Sequence, residues 1–147
     1  MSSQLNVDTI VDKAGSGGSN VKMANTSTYV SDGGAVTQNT VEGLAKVWVN
    51  FDGSASGATA RDSLNVSTMT DRGTGQFTIT FATVMGDTNY NSVASATVGA
   101  SNNFNRMAGA ASNATNISYL NTFAQSGASS ILIDANYTSA TFHGDLA

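Results

Sequence analysis

Apolar and polar residues alternate along several short stretches of this chain, the period-two sign of half-buried β-strands. Ala45, Val47, Val49 and Phe51 point one way while Lys46, Trp48 and Asn50 point the other. Leu64 and Val66 repeat that pattern, and Phe77, Ile79 and Phe81 alternate with Gln76, Thr78 and Thr80. Between them, Asp71-Arg72-Gly73-Thr74-Gly75 reads as a turn whose glycines supply positive φ, which makes a hairpin. Further strands are expected over 90–98, 115–124 and 130–142. In the last of these, Ile131, Ile133, Ala135 and Tyr137 are expected inward, against Leu132, Asp134 and Asn136. The segment 104–112, FNRMAGAAS, reads as a loop or a short helix, and Gly109 with its neighbouring Asn residues favours the loop.

The first forty residues are different. Their apolar positions are sparse and are broken by Gly15-Ser16-Gly17-Gly18 and Gly33-Gly34. Two short strands, over 4–11 and 20–30, are expected there, with too few large side chains for a core of their own. Residues 1–41 therefore read as an extended arm and residues 42–147 as the head domain. Leu5, Val7, Ile10, Val11, Val21 and Met23 are the arm's candidate attachment and interface residues.

Composition supports an all-β class. Charged residues are 11% of the chain against about 25% in an average domain. Ser (19), Thr (18), Asn (15) and Gly (15) together make up close to half of it. Disordered chains are usually rich in charge and proline, yet proline is absent here and Thr, Val and Ile recur in short runs. Six or so strands at regular spacing suggest a small β-sandwich or jelly-roll-like head.

The same composition narrows the chemistry. The net charge of −4 and six scattered basic residues argue against nucleic acid and against an anionic membrane surface. The longest apolar runs fall far short of a membrane span, and the N-terminus lacks the basic start and apolar run of a signal peptide. With no cysteine, disulfides and thiolate metal sites are excluded. His143 is the only histidine, so a two-histidine metal site within one chain is excluded as well. Either it is a surface or strand histidine without special role, or three copies line a three-fold axis.

No catalytic residues are expected. Glu42 is the single glutamate, and Asp32-Gly33, Asp52-Gly53, Asp71-Arg72-Gly73 and Gly86-Asp87 place four of the nine aspartates beside turn residues. No G-x-S-x-G elbow, phosphate loop or D-x-D-x-D-G calcium loop is present, so no cofactor or metal is expected. By alternation Trp48 lies away from the core. Trp48 and Tyr119 are the exposed-aromatic candidates, first for an interface and then for a ligand such as a sugar.

The stretch 43–100 carries a resemblance. AKVWVNFDG (45–53), RDSLNVSTMTDRGTG (61–75), FTITF (77–81) and the Met-x-x-x-x-Tyr segment (85–90) together resemble a domain of tail-fibre-like structural proteins of marine bacteriophages. The resemblance implies a virion protein, assembled in the host cytoplasm as a homotrimer. It would be a short fibre or knob attached to the tail or capsid through its N-terminal arm, with a host cell-surface glycan as a possible further partner. Capsid decoration and a carbohydrate-binding recognition module are the alternatives.

Overall fold

In a computed structural model the described residues are 27–30, 37–41, 43–55, 57–97, 106–126 and 129–146. Among them there are eleven strands and no helix, and every strand pairing is antiparallel. The chain divides into two units, Met1–Val41 and Glu42–Ala147. In the first unit β1 (Thr28–Val30) pairs with β2 (Thr37–Asn39), and Thr40 caps the pair by donating both its N–H and its hydroxyl to the Ser27 carbonyl. The expected strand over 4–11, most of that over 20–30 and the six arm candidates Leu5, Val7, Ile10, Val11, Val21 and Met23 lie outside the described residues.

The second unit is a sandwich-like pair of sheets. The first sheet runs in the order β4 (Ala60–Leu64), β3 (Ala45–Phe51), β11 (Tyr137–His143), β7 (Asn91–Thr97). The second is built on β9 (Ile117–Ser126), with β8 (Arg106–Ala114) along one side. Along the other side β6 (Gln76–Phe81) takes the first half of β9 and β10 (Ser129–Leu132) the second half. Outside β6 lies β5 (Val66–Gly73).

Alternation explains which faces meet. Val47, Val49 and Phe51 of β3, Ala140 and Phe142 of β11, Phe77, Ile79 and Phe81 of β6, and Leu120 of β9 form one buried cluster shared by both sheets. The rings interlock edge-on or tilted across the gap, with Phe51 and Phe77 centroids 5.0 Å apart and Phe81 and Phe142 5.2 Å apart. Tyr90 joins this cluster, and its hydroxyl donates to the carbonyls of Ala114 and Ile117. The polar tip of a buried ring thus finds acceptors at the β8–β9 turn.

Small residues close one side of the sandwich. Ser92, Ala94 and Ala96 on β7 and Ala108 and Ala110 on β8 are short enough that the two strands come within 8 Å without pairing. Ser92 Oγ bridges them by donating to the Ala110 carbonyl.

Four expectations are corrected. Residues 106–114 form a strand rather than a loop, because β9 supplies a full ladder that outweighs the poor strand propensity of Ala and Gly. The segment 130–142 is two strands in different sheets, so its parity changes midway. Ala135 is buried as expected, but Ile131 and Tyr137 are about half exposed, and the inward residues of β11 are Thr138, Ala140 and Phe142. Leu64 lies exposed opposite Trp48 instead of sharing a buried face with Val66, since the strand changes sheet at Asn65. The head also has nine strands among its described residues, more than the six or so expected.

Candidate functional site

Cross-strand register places Trp48 in a row that spans the outer face of the first sheet. Leu64, Trp48, Thr141 and Val93 are successive neighbours on β4, β3, β11 and β7. Trp48 is half-buried within the row, while Leu64 and Val93 at its ends are exposed. The next row is polar: Asp62, Asn50, Ser139 and Ser95, with Asn50 Nδ2 donating to Ser139 Oγ at 2.8 Å.

Tyr119 occupies the outer face of the second sheet, paired with Thr78 and Ala111. One face of its ring is covered by the Arg72 guanidinium, 4.5 Å from the centroid. A few residues along β9, Met107, Phe123 and Leu132 form a second apolar row on β8, β9 and β10. Met107 is 61% exposed. Trp48 and Tyr119 therefore stand on outer faces of different sheets and do not form one aromatic patch. The rows were legible only in part from sequence, because strand parity gives a residue's face but not its neighbour on the next strand.

His143 lies at the end of β11 and lines an open polar cleft of about 340 Å³ with Asp87, Asn89, Asn91, Gly144 and Asp145. The two walls are tied together by the Gly86 N–H donating to the Asp145 carbonyl at 2.7 Å and by a bridge between Met85 and Leu146. Asp87 is engaged by the backbone and side-chain nitrogens of Asn89. Among the described residues no three His, Cys, Asp or Glu side chains come together as a metal site.

A cluster that sequence reasoning missed centres on Arg61. Its guanidinium donates to the Phe51 carbonyl at 2.9 Å, to Asp52 Oδ2 at 2.9 Å and to the Asn136 carbonyl, and it lies 4.7 Å from the centroid of Tyr137. The Ser54 hydroxyl donates to Asp52 Oδ1 and holds that carboxyl below the usual carboxylate range; the Ser54 N–H and Arg61 act in the same direction, against an opposing push from desolvation. One planar, five-donor cation thus joins the end of β3, the following turn and the approach to β11. Its three hydrogen bonds go to two backbone carbonyls and a single carboxylate, an arrangement that ties segments together. The only signal in the sequence was an arginine nine residues after Asp52, across the turn that separates β3 from β4.

The described residues supply, then, two outer apolar rows, two arginine-capped tyrosines and one polar cleft. No family model matches this chain, and no curated protein and no solved structure matches it either.

Proposed function

We propose that the chain is a structural protein of a bacteriophage virion, a short fibre-like subunit that assembles as a homotrimer and attaches through residues 1–41. The sequence resemblance over 43–100 suggests the class. The observation that carries the reading is the pair of outer rows: Leu64–Trp48–Val93 on one sheet and Met107–Phe123–Leu132 on the other put large apolar side chains on surface that a chain with only 11% charge does little to solubilise. Burial between copies removes that surface from water, and a closed three-fold ring leaves no copy with an open interface. Attachment to tail or to capsid, as a fibre or as a decoration knob, is compatible with the same assembly.

Light scattering on the full chain tests this reading. A mass of three chains is expected, and a monomer at micromolar concentration overturns it. Trp48→Ala and Tyr119→Ala separate assembly from recognition: the reading expects Trp48→Ala to weaken the oligomer. Loss of cell-surface or glycan binding with the mass unchanged would favour the carbohydrate-recognition alternative.

A further inference from the structure

The strand that leaves the first sheet as β4 enters the second as β5 after a single residue, Asn65. That residue is in the left-handed region, with φ 58, one of only two non-glycine residues with positive φ among the described residues. Its own side chain holds it there. Asn65 Oδ1 accepts the Thr83 N–H at 2.6 Å, Nδ2 donates to the Thr83 carbonyl at 3.0 Å, and the Ala82 N–H donates to the Asn65 carbonyl at 3.0 Å.

The consequence lies in what the corner holds back. The β3–β4 hairpin meets the rest of the head along the β3–β11 ladder, through the buried side chains Val47, Val49, Phe51 and Ala58, and at the 133–136 crossing, where Gly53 N–H donates to the Ala135 carbonyl and Arg61 to the Asn136 carbonyl. If Asn65 relaxes to an extended conformation, β4 and β5 become one strand running from 60 to 73. The hairpin then cannot reach its own β11. It can reach the β11 of another copy and make there every contact it made at home, because the exchanged surfaces are identical. A one-residue corner held in a disfavoured conformation is the kind of hinge that favours such exchange.

We propose that Asn65 is the hinge of a strand exchange in which the β3–β4 hairpin of one chain pairs alongside β11 of a second copy and covers that copy's core. The partner is thus a second copy of this chain, and the shared surface is the β3–β11 seam. The inference goes beyond the virion reading and does not need it, since two copies suffice.

The test uses the full chain, which contains no cysteine. Asn50 and Ser139 are side-chain partners across the seam, so the pair Asn50→Cys with Ser139→Cys reports which chain supplies β3. After treatment with a short bismaleimide, a closed chain is linked within itself and exchanged chains are linked to each other on a denaturing gel. Asn65→Val penalises only the closed form, because a β-branched residue is strained at positive φ. It should raise the fraction of chains linked to each other by about tenfold. The expected order is Val above Ala above Gly, as glycine accepts the left-handed conformation freely.

Equal linkage in all three variants overturns the proposal. Should Asn65→Val fail to fold, the wild-type hinge answers the question after refolding from urea at micromolar and at millimolar protein. Chains linked to each other only at the higher concentration support exchange, and none at either concentration overturns it. The mass of the untreated protein tests assembly separately, so a trimer whose chains link only within themselves leaves the virion reading intact and sinks this one.

Discussion

Two of the places where the chain passes between its sheets are built in opposite ways. At Asn65 one residue turns the corner, held by its own side chain on Thr83. At 133–136 the chain takes four residues and is held from all sides. The Ile133 N–H donates to the Thr122 carbonyl at 3.1 Å, the Thr122 hydroxyl donates back to the Ile133 carbonyl, and Asp134 Oδ1 accepts the Gly75 N–H at 2.7 Å. Arg61 then takes the Asn136 carbonyl, and the Ala135 carbonyl accepts from Gly53 N–H at 2.9 Å and from the Thr138 hydroxyl at 3.1 Å. The first corner depends on one residue's conformation. The second depends on the turn of a distant hairpin, a strand and a salt-bridged arginine, so that loss of one partner leaves the others in place.

The largest effect should come from the hairpin turn that braces the second crossing. Gly75 has φ +66, and a Cβ there would stand 2.6 Å from the Thr122 carbonyl oxygen and 2.7 Å from the Ile133 nitrogen. Backbone cannot yield as a side chain can, so Gly75→Ala should cost about 3–5 kcal/mol in urea unfolding. Gly73→Ala is the control. It has φ +129 but nothing within 4 Å of the added Cβ, so it should cost only about 1–2 kcal/mol. Equal losses would mean that conformation, not the close approach to Thr122 and Ile133, dominates at Gly75.

Arg61→Ala comes next. It removes two hydrogen bonds to carbonyls and an ion pair about a third exposed, so a loss of about 1–2 kcal/mol is expected. Arg61→Lys should recover little, because one ammonium cannot span the three acceptors. Asn65→Ala should cost about 1 kcal/mol from the lost clamp and the left-handed backbone together, with Asn65→Gly recovering the backbone share. If Asn65→Ala leaves stability unchanged, the first corner does not depend on its one residue and the contrast between the two crossings fails.

The smallest effect is one of pH. The folded carboxyl of Asp52 titrates below its unfolded value, chiefly because of the Ser54 hydroxyl. Its stabilisation is therefore present above the unfolded value and is lost as pH falls through the folded one. Asp52→Asn should lower the melting temperature slightly near neutrality, where the charged carboxylate contributes, and flatten the acid side of the profile, so that variant and wild type converge as pH falls. An unchanged acid limb would show that the Asp52–Ser54–Arg61 contacts do not contribute to folding.

Much of the fold could be read from the residues alone because the strands that face one core keep strict parity. Val47, Val49, Phe51, Phe77, Ile79 and Phe81 are all buried as their alternation requires. Two of the readings that failed share a cause. Leu64 with Val66, and Ile131 with Tyr137, each straddle a point where the chain changes sheet, and a change of sheet resets which side is inward. No local pattern marks that point: at Asn65 it is one asparagine among fifteen. The candidate surfaces were legible to the same extent. Trp48 was assigned to an outer face by parity and Tyr119 was named beside it as an exposed aromatic, yet their neighbours Leu64, Val93 and Arg72 come from other strands and could not be named.

What the sequence determined by itself is thus the all-β class, the buried faces of β3 and β6, and the exclusion of thiol and paired-histidine chemistry, because each follows from residue type and a spacing of two. Tertiary structure alone decided that 106–114 is a strand, that Arg61 binds the ends of three segments, and that His143 shares a cleft with Asp87 and Asp145. Those outcomes depend on contacts between residues far apart in the chain, whose register is fixed only when both sheets close on one core.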